Sequence, residues 1–397
     1  MASITPPKYV RQVLIKLQTH NHLAYLVGGC VRDMLLGVHP ADWDICTSAL
    51  PQEVMEIFPG SLTTGLKHGT VTVKINSRLV EVTTFRSEGN YGDHRHPDAV
   101  SFVGDLNADL SRRDFTINAI AMPPDGLVAD PFGGMADIEK GIIRCVGDPE
   151  FRFEEDALRM FRALRFSAKL GFSIEEKTME AIEKKAPLAS FVAAERIRAE
   201  LEKLLLSPAP EKIFEVIDLG LLDRFLLKRV EDSIGFIRLS RLPRKAMYRW
   251  AALCVILLHY GCIRSASEFL SALRLDCRSI RCCSDTVDII YGGKPKSRLE
   301  WKKLLHRYGV DSVSCAASCS DALRGGSCAK EVKRILKSGE CFSMKHLAVT
   351  GDDLLALGFR GRELGEMLNF LLQYVMEFPE NNRREILLSL AESGEEQ

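Results

Sequence analysis

The sequence predicts an α+β protein, with a mixed sheet in the N-terminal part and an all-α C-terminal half. Three observations carry this. Before residue 148, short apolar or β-branched runs alternate with glycine and proline turns, as at 23–27, 70–75 and 79–85. After residue 148 the strand signal stops and helical periodicity continues, broken at Gly261, at Gly292-Gly293-Lys294-Pro295, at Gly325-Gly326 and at Gly351. The chain has 397 residues and 46% hydrophobic composition, enough for roughly two to four domains with cores of their own.

The elements follow in order. Pro6 and Pro7 open a helix over 7–19, with Thr5 as its cap and Val10, Val13, Leu14 and Leu17 along one face. Residues 23–27 read as a buried strand. Gly28-Gly29 then permits a tight turn and close approach of a ligand, and a helix over 30–36 stops at Gly37. The next strand carries Asp42 and Asp44, two apart and so on one face. Pro51 opens a short helix over 50–57. Residues 70–75 and 79–85 form a hairpin through Asn76-Ser77-Arg78, with Glu81 alone among apolar neighbours. Residues 87–98 are polar and glycine-containing and read as a mobile loop, and 100–103 return to strand. Arg112-Arg113-Asp114 reads as a helix start, with Asp114 in its first turn. Asp130-Pro131-Phe132-Gly133-Gly134 closes the part that holds the mixed sheet, backed by helices. One long helix over 150–169 then stops at Gly171, followed by helices at 172–184, 195–206 and 209–219.

Bulk properties exclude several classes. Lysine plus arginine balance aspartate plus glutamate at 53 each, so a nucleic-acid partner is held by local patches. The twelve cysteines are scattered, without a C-x-x-C pair or zinc spacing, which predicts reduced thiols. The first residues lack a charged region followed by an apolar core, and the longest apolar run, 250–258, is far too short to span a membrane. A cytoplasmic protein without membrane partners is expected. Gly28-Gly29-Cys30-Val31-Arg32 is not G-x-G-x-x-G, which argues against a dinucleotide-binding dehydrogenase.

Two constellations carry chemistry. In the first, the free N–H groups at the start of the helix after Gly29 suit phosphate, and Arg32 adds a charged donor. Asp42 and Asp44 are hard oxygen ligands on one face, fit for Mg²⁺ with an open side for a nucleotide. Arg113 can hold a phosphate, and Asp114 or Asn118 can meet a ribose hydroxyl. In the second, Glu155-Asp156-Ala157-Leu158-Arg159 places Asp156 and Arg159 three apart on one helix face, and Arg162 and Arg165 extend it. Such a row also reads as a salt-bridged helix face. Base chemistry favours more. Cytosine and adenine each offer an exocyclic amino donor beside a ring-nitrogen acceptor, which a carboxylate beside a guanidinium matches. Uracil and guanine present the reverse and leave the pair mismatched.

The first constellation resembles the nucleotidyltransferase superfamily that includes DNA polymerase β. In detail it is similar to the class II tRNA nucleotidyltransferases (CCA-adding enzymes) and bacterial poly(A) polymerases, as are Arg112-Arg113-Asp114-Phe115-Thr116-Ile117-Asn118-Ala119, Glu155-Asp156-Ala157-Leu158-Arg159 and Glu195-Arg196-Ile197-Arg198-Ala199-Glu200. The resemblance implies a polymerase-β-like head at 1–148, a base-recognising neck at 149–206, a helical body at 207–295 and a tRNA-binding tail at 296–397. It implies Asp42, Asp44 and Glu81 as catalytic residues, with Mg²⁺ on Asp42 and Asp44 in a two-metal transfer. Gly28, Gly29, Arg32, Arg113, Asp114, Asn118, Asp156, Arg159, Arg162 and Arg165 then bind nucleotide, with Asp156 and Arg159 choosing the base and Glu155 positioning Arg159. Glu195 to Glu200 would brace the base-reading helix through ion pairs. CTP and ATP become the substrates, and tRNA is held by its acceptor and T arms. In this family the loop at 87–98 is shortened in enzymes that add only CC, so its presence argues for A among the added bases. Near residue 361 the family commonly has Pro-Gly, where this chain reads Arg360-Gly361-Arg362. An A-adding enzyme, a poly(A) polymerase and a non-catalytic RNA-binding protein stay open as alternatives. Oligomeric state is open too, a homodimer included.

Overall fold

The computed structural model describes residues 5–66, 69–75, 77–88 and 100–393. The chain forms two compact units, Met1–Arg224 and Phe225–Gln397. The first opens with α1 (Lys8–Thr19), β1 (Ala24–Val27), α2 (Gly29–Leu35), β2 (Asp44–Thr47) and α3 (Pro51–Ile57). Strands β3 (Leu62–Gly65), β4 (Thr70–Ile75), β5 (Arg78–Thr84), β6 (Arg86–Glu88) and β7 (Val100–Phe102) follow. Then come α4 (Leu106–Ser111), β8 (Ala121–Met122), α5 (Gly134–Lys140) and β9 (Ile142–Ile143). The unit ends with α6 (Pro149–Glu155), α7 (Leu158–Leu170), β10 (Ser173–Ile174), α8 (Glu176–Lys185), α9 (Ala194–Leu205) and α10 (Ile213–Asp218).

The main sheet runs β3-β4-β5-β2-β1-β8 and is mixed: β2 pairs parallel with β5, the other neighbours antiparallel. The β4–β5 hairpin turns through Ser77, whose φ is +65°. Val10, Val13, Leu14 and Leu17 of α1 and Val54 and Ile57 of α3 pack with Leu26, Ile45, Val71, Val73, Val80 and Val82. Each such side chain contributes roughly 1.5–3 kcal/mol on leaving water. That apolar face, more than helix propensity, holds these short helices in place. A second cluster gathers Val27, Cys46, Phe85, Leu110, Ala119, Ala121 and Val146.

Several expectations need correction. Thr5 does not cap α1: Pro7 stands at the cap position, without a side-chain hydrogen bond. The helix over 150–169 is two helices. Asp156 takes extended backbone (φ −146°, ψ 98°), and its side chain accepts from Leu158 N at 3.1 Å, so α7 starts afresh. Asp156 and Arg159 therefore do not share one continuous helix face. Arg112 ends α4 rather than opening a helix, and Asp114 lies in the segment before a short 3₁₀ turn at Thr116–Asn118. Asp42 precedes β2, which begins at Asp44. Residues 173–174 are strand, paired parallel with β9, so the expected helix at 172–184 begins only at Glu176. Ser87 and Glu88 belong to β6; the rest of the predicted loop, 89–98, lies outside the described residues.

Among the described residues, Phe225–Gln397 holds helices without strands. They are α11 (Ile234–Ile237), α12 (Ala246–His259), α13 (Ala266–Ala272), α14 (Cys277–Tyr291), α15 (Arg298–Arg324), α16 (Cys328–Ser338), α17 (Gly351–Ala356), α18 (Gly361–Glu377) and α19 (Arg384–Ser393). Gly309 (φ +80°) interrupts α15. No helix among the described residues is long and apolar enough to cross a membrane.

One ion-pair knot in this unit gives a pH test. Glu340 accepts from Arg298 Nε at 2.9 Å, from Lys302 Nζ at 3.0 Å and from Ser338 Oγ at 2.9 Å. The hydrogen bonds from Arg298 outweigh burial and, with Lys302 and Ser338, pull the carboxyl from 4.5 down to about 2. A depressed carboxylate stabilises the fold above its unfolded value and loses that contribution as pH falls toward 2. Urea melts of the full chain should therefore show wild type ahead of Glu340→Gln at pH 7, with the gap narrowed by pH 3. An equal gap at both pH values would contradict the assignment.

Candidate active site

The site grows from the turn between β1 and α2. Gly28 has φ +78°, and a Cβ built there would lie 3.3 Å from Arg113 Nη1. Both facts favour glycine. Gly29 opens α2, which carries Arg32 on its buried side, 3% exposed. The Arg32 guanidinium donates to Asn118 Oδ1 at 2.6 Å and, through Nε, to Asp33 Oδ1 at 2.9 Å.

The parallel pairing of β2 with β5 sets Asp44 opposite Glu81. Asp42, exposed, lies two residues ahead of Asp44 across the buried Trp43. Burial is the main cause that lifts the Asp44 carboxyl from 3.8 to about 6. Repulsion from Glu81 and Asp42 adds to it, and Arg113 opposes it. Among the described residues no three His, Cys, Asp or Glu side chains are gathered as a metal cluster. The donor set nonetheless suits a divalent cation. Asp42 and Asp44 are hard oxygen ligands, and the mutual repulsion that raises Asp44 is what a bound cation relieves.

Arg113 is held by a residue that sequence reasoning missed. Asp109, wholly buried in α4, accepts from Arg113 Nη2 at 3.0 Å and from Arg112 Nη2 at 2.7 Å. Burial opposes its charge, but the two guanidiniums prevail and hold the carboxyl below its usual value. The i,i+3 and i,i+4 spacing of Asp109 to Arg112 and Arg113 was the available signal.

Asp114 is the centre of the site. Its Oδ1 accepts from Phe115 N at 2.9 Å and Asn118 Nδ2 at 3.1 Å. Its Oδ2 accepts from Arg162 Nε at 2.8 Å and Nη2 at 2.6 Å. Burial alone would raise this carboxyl. The Arg162 charge and the hydrogen bonds from Asn118, Arg162 and Phe115 win and bring it to about 2.

Phe166, on α7, was also missed. The guanidiniums of Arg32, Arg162 and Arg165 lie 5.1, 5.4 and 3.8 Å from its ring centroid. Each of these arginines keeps an acidic partner: Asp33, Asp114 and Glu200. The structure thus joins Arg32, Asp114, Asn118, Arg162 and Arg165 in one network.

At the start of α7 the two predicted base readers have separate holders. Arg159 Nη1 donates to Glu155, and its guanidinium also donates to the carbonyls of Arg152 at 3.0 Å and Arg112 at 3.1 Å. Asp156 is held by Arg196 of α9.

Comparison with known proteins places this arrangement. Residues 24–144 match the family model described as the Poly A polymerase head domain. Residues 171–230 match the model described as the probable RNA and SrmB-binding site of polymerase A. The chain is 40% identical over 353 residues to a CCA-adding enzyme of Geobacillus sp. (strain WCH70), covering 86% of this chain and 85% of that one. It is 37% identical over 390 residues to a CCA-adding enzyme of Limosilactobacillus fermentum, covering 96% and 95%. Among solved structures, it matches the Bacillus stearothermophilus CCA-adding enzyme in complex with CTP at TM-score 0.85 and 32% identity, over 99% of this chain and 98% of that one. The Thermotoga maritima CCA-adding enzyme complexed with tRNA shares the fold, at TM-score 0.69 and 22% identity over 99% and 97%.

Proposed function

Because the chain belongs to the CCA-adding enzyme family, we propose that it builds or repairs the 3′-terminal CCA of tRNA from CTP and ATP, releasing pyrophosphate. The observation that carries this is the pairing of two clusters on one compact unit. The Asp44–Glu81 carboxylates stand beside Arg113, and Arg32 connects through Asn118 and Asp114 to Arg162 of α7, the helix that carries Arg159 in its first turn.

The residues take these roles. Gly28, Gly29 and Arg32 cradle the triphosphate, and Arg113, anchored by Asp109, supports it. Asp114 and Asn118 meet the ribose. Arg162 and Arg165 make further nucleotide contacts from α7, while Asp156 and Arg159 accept cytosine and adenine and refuse uracil and guanine. Asp42 and Asp44, with Glu81 beside them, would hold two divalent cations, which we take to be Mg²⁺. When bound, one would supply activation of the primer 3′-hydroxyl and the other neutralisation of the departing pyrophosphate. The chain's own residues fix the α-phosphate for in-line attack and keep the base in register.

We propose a finer division into head 1–148, neck 149–206, body 207–295 and tail 296–397, in which the body spans the boundary between the two compact units at 224/225. The helical residues from 207 onward would hold the tRNA acceptor and T arms by shape and phosphate contacts. Twelve free cysteines, eleven of them buried, support a reducing, cytoplasmic setting.

The test uses purified protein and tRNA that ends before CCA. With CTP alone two residues should be added, and with CTP plus ATP the full CCA, as read on a sequencing gel. Addition of A only to tRNA already ending in CC would instead indicate an A-adding enzyme. Long A tails would indicate a poly(A) polymerase.

A further inference from the structure

Arg196 stands in the first turn of α9, on a different helix from the base-reading pair. It grips Asp156 at two points: Nη1 to Oδ1 at 3.2 Å and Nη2 to Oδ2 at 2.8 Å. Oδ1 also accepts from Leu158 N at 3.1 Å. A carboxylate offers about four lone-pair sites. Among the described residues three are engaged, and the one left open is the second site on Oδ2.

We propose that Arg196 is a specificity-positioning residue. It touches no nucleotide, but fixes Asp156 so that one acceptor site, at one place, faces the incoming base. The proposal rests on the reading of Asp156 as a base reader.

The need for a grip follows from the bases and from the backbone. Asp156 sits in the link between α6 and α7, where no continuous helix restrains its side chain. A fixed acceptor meets the exocyclic amino group of cytosine or adenine. The same fixed acceptor meets a carbonyl in uracil or guanine and is repelled. Both rejected bases also carry a ring N–H next to that carbonyl. A carboxylate free to swing would accept that N–H, and the mismatch would vanish. Selectivity therefore depends on where the Asp156 oxygens are held, not only on their presence.

The experiment compares Arg196→Ala, Arg196→Lys, Asp156→Ala and the Arg196/Asp156 double alanine variant in the full chain. Single-nucleotide addition to tRNA lacking CCA is measured with CTP, ATP, UTP and GTP, giving kcat and KM for each, together with Tm. Arg196→Ala should lower the kcat/KM ratio of CTP to UTP by roughly tenfold or more, the scale of a charge-assisted hydrogen bond. Arg196→Lys, which keeps the charge but not the two-point grip, should recover part of the ratio. The double variant should be no less selective than Asp156→Ala, because Arg196 acts through Asp156. An Arg196→Ala enzyme with lowered Tm but wild-type ratios has lost a merely structural brace, and overturns the proposal. Should that variant not fold, Arg196→Lys decides, and an unchanged ratio overturns the proposal equally. If Asp156→Ala relaxes selection while the Arg196 variants do not, only this proposal fails. If Asp156→Ala itself leaves the ratios unchanged, the base-reading assignment fails with it.

Discussion

Asp44→Asn abolishes addition of both C and A while tRNA binding persists. The substitution keeps size and shape and removes one charge. Asp44 lies opposite Glu81 on the neighbouring strand, with Asp42 two residues ahead. Burial first, then those neighbours, push its carboxyl up to about 6 against the pull of Arg113, so the charged form is held against local cost. A residue kept ionised in such a place is a candidate for function more than for stability. The variant should accordingly melt at or above the wild-type temperature at pH 8, where wild type carries the unrelieved charge. Its kcat should fall by about 10³-fold or more, the several kcal/mol that a bound divalent cation supplies. Single-turnover addition to tRNA, with filter binding as the control, measures both. A variant that transfers nucleotide at the wild-type rate would sink the assignment of the acidic pair.

Arg159→Ala relaxes base choice. Arg159 is 7% exposed, and Glu155 and two backbone carbonyls hold its guanidinium in place. On the proposed reading, truncation removes the donor to the ring nitrogen of cytosine or adenine and with it the penalty for uracil and guanine. Discrimination against UTP and GTP should fall by roughly 10²-fold, as expected when a buried polar match is lost. The variant leaves Glu155 without this partner, so a modest loss in Tm accompanies it. Competition assays with mixed triphosphates give the ratio directly, and an unchanged preference would refute the template role of this residue.

Local patterns were legible in the sequence itself, while long-range pairings were legible only in outline. The Glu195–Glu200 segment does brace the neighbouring helix, through Glu200 with Arg165 and Arg196 with Asp156, but the partners could not be read from spacing. The Gly28-Gly29 turn, the β4–β5 hairpin and the helical second unit follow from glycine chemistry and periodicity, which are local properties. Position 81 opposite Asp44 depends on a parallel pairing whose register no stretch of sequence states. The break at Asp156 was hidden because the run from 150 to 169 has good helix formers on both sides of it. What decides it is one side chain accepting from Leu158 N, in competition with the helix ladder. Arg196 and Phe166 could be seen as an ion-pair former and an apolar position. Their partners, Asp156 and three guanidiniums, come from other elements or other turns of the helix, and folding alone brings them together.

The tie from Asp114 to Arg162, and through Asn118 to Arg32, also bears on how such a chain can drift over generations. Loss of the Asp114 carboxylate strands a guanidinium and an amide at once, on segments 48 and 4 residues away. A single exchange there therefore costs more than one contact, whereas the exposed pairs of the helical unit, such as Arg362 with Glu366, can be replaced one partner at a time at little cost.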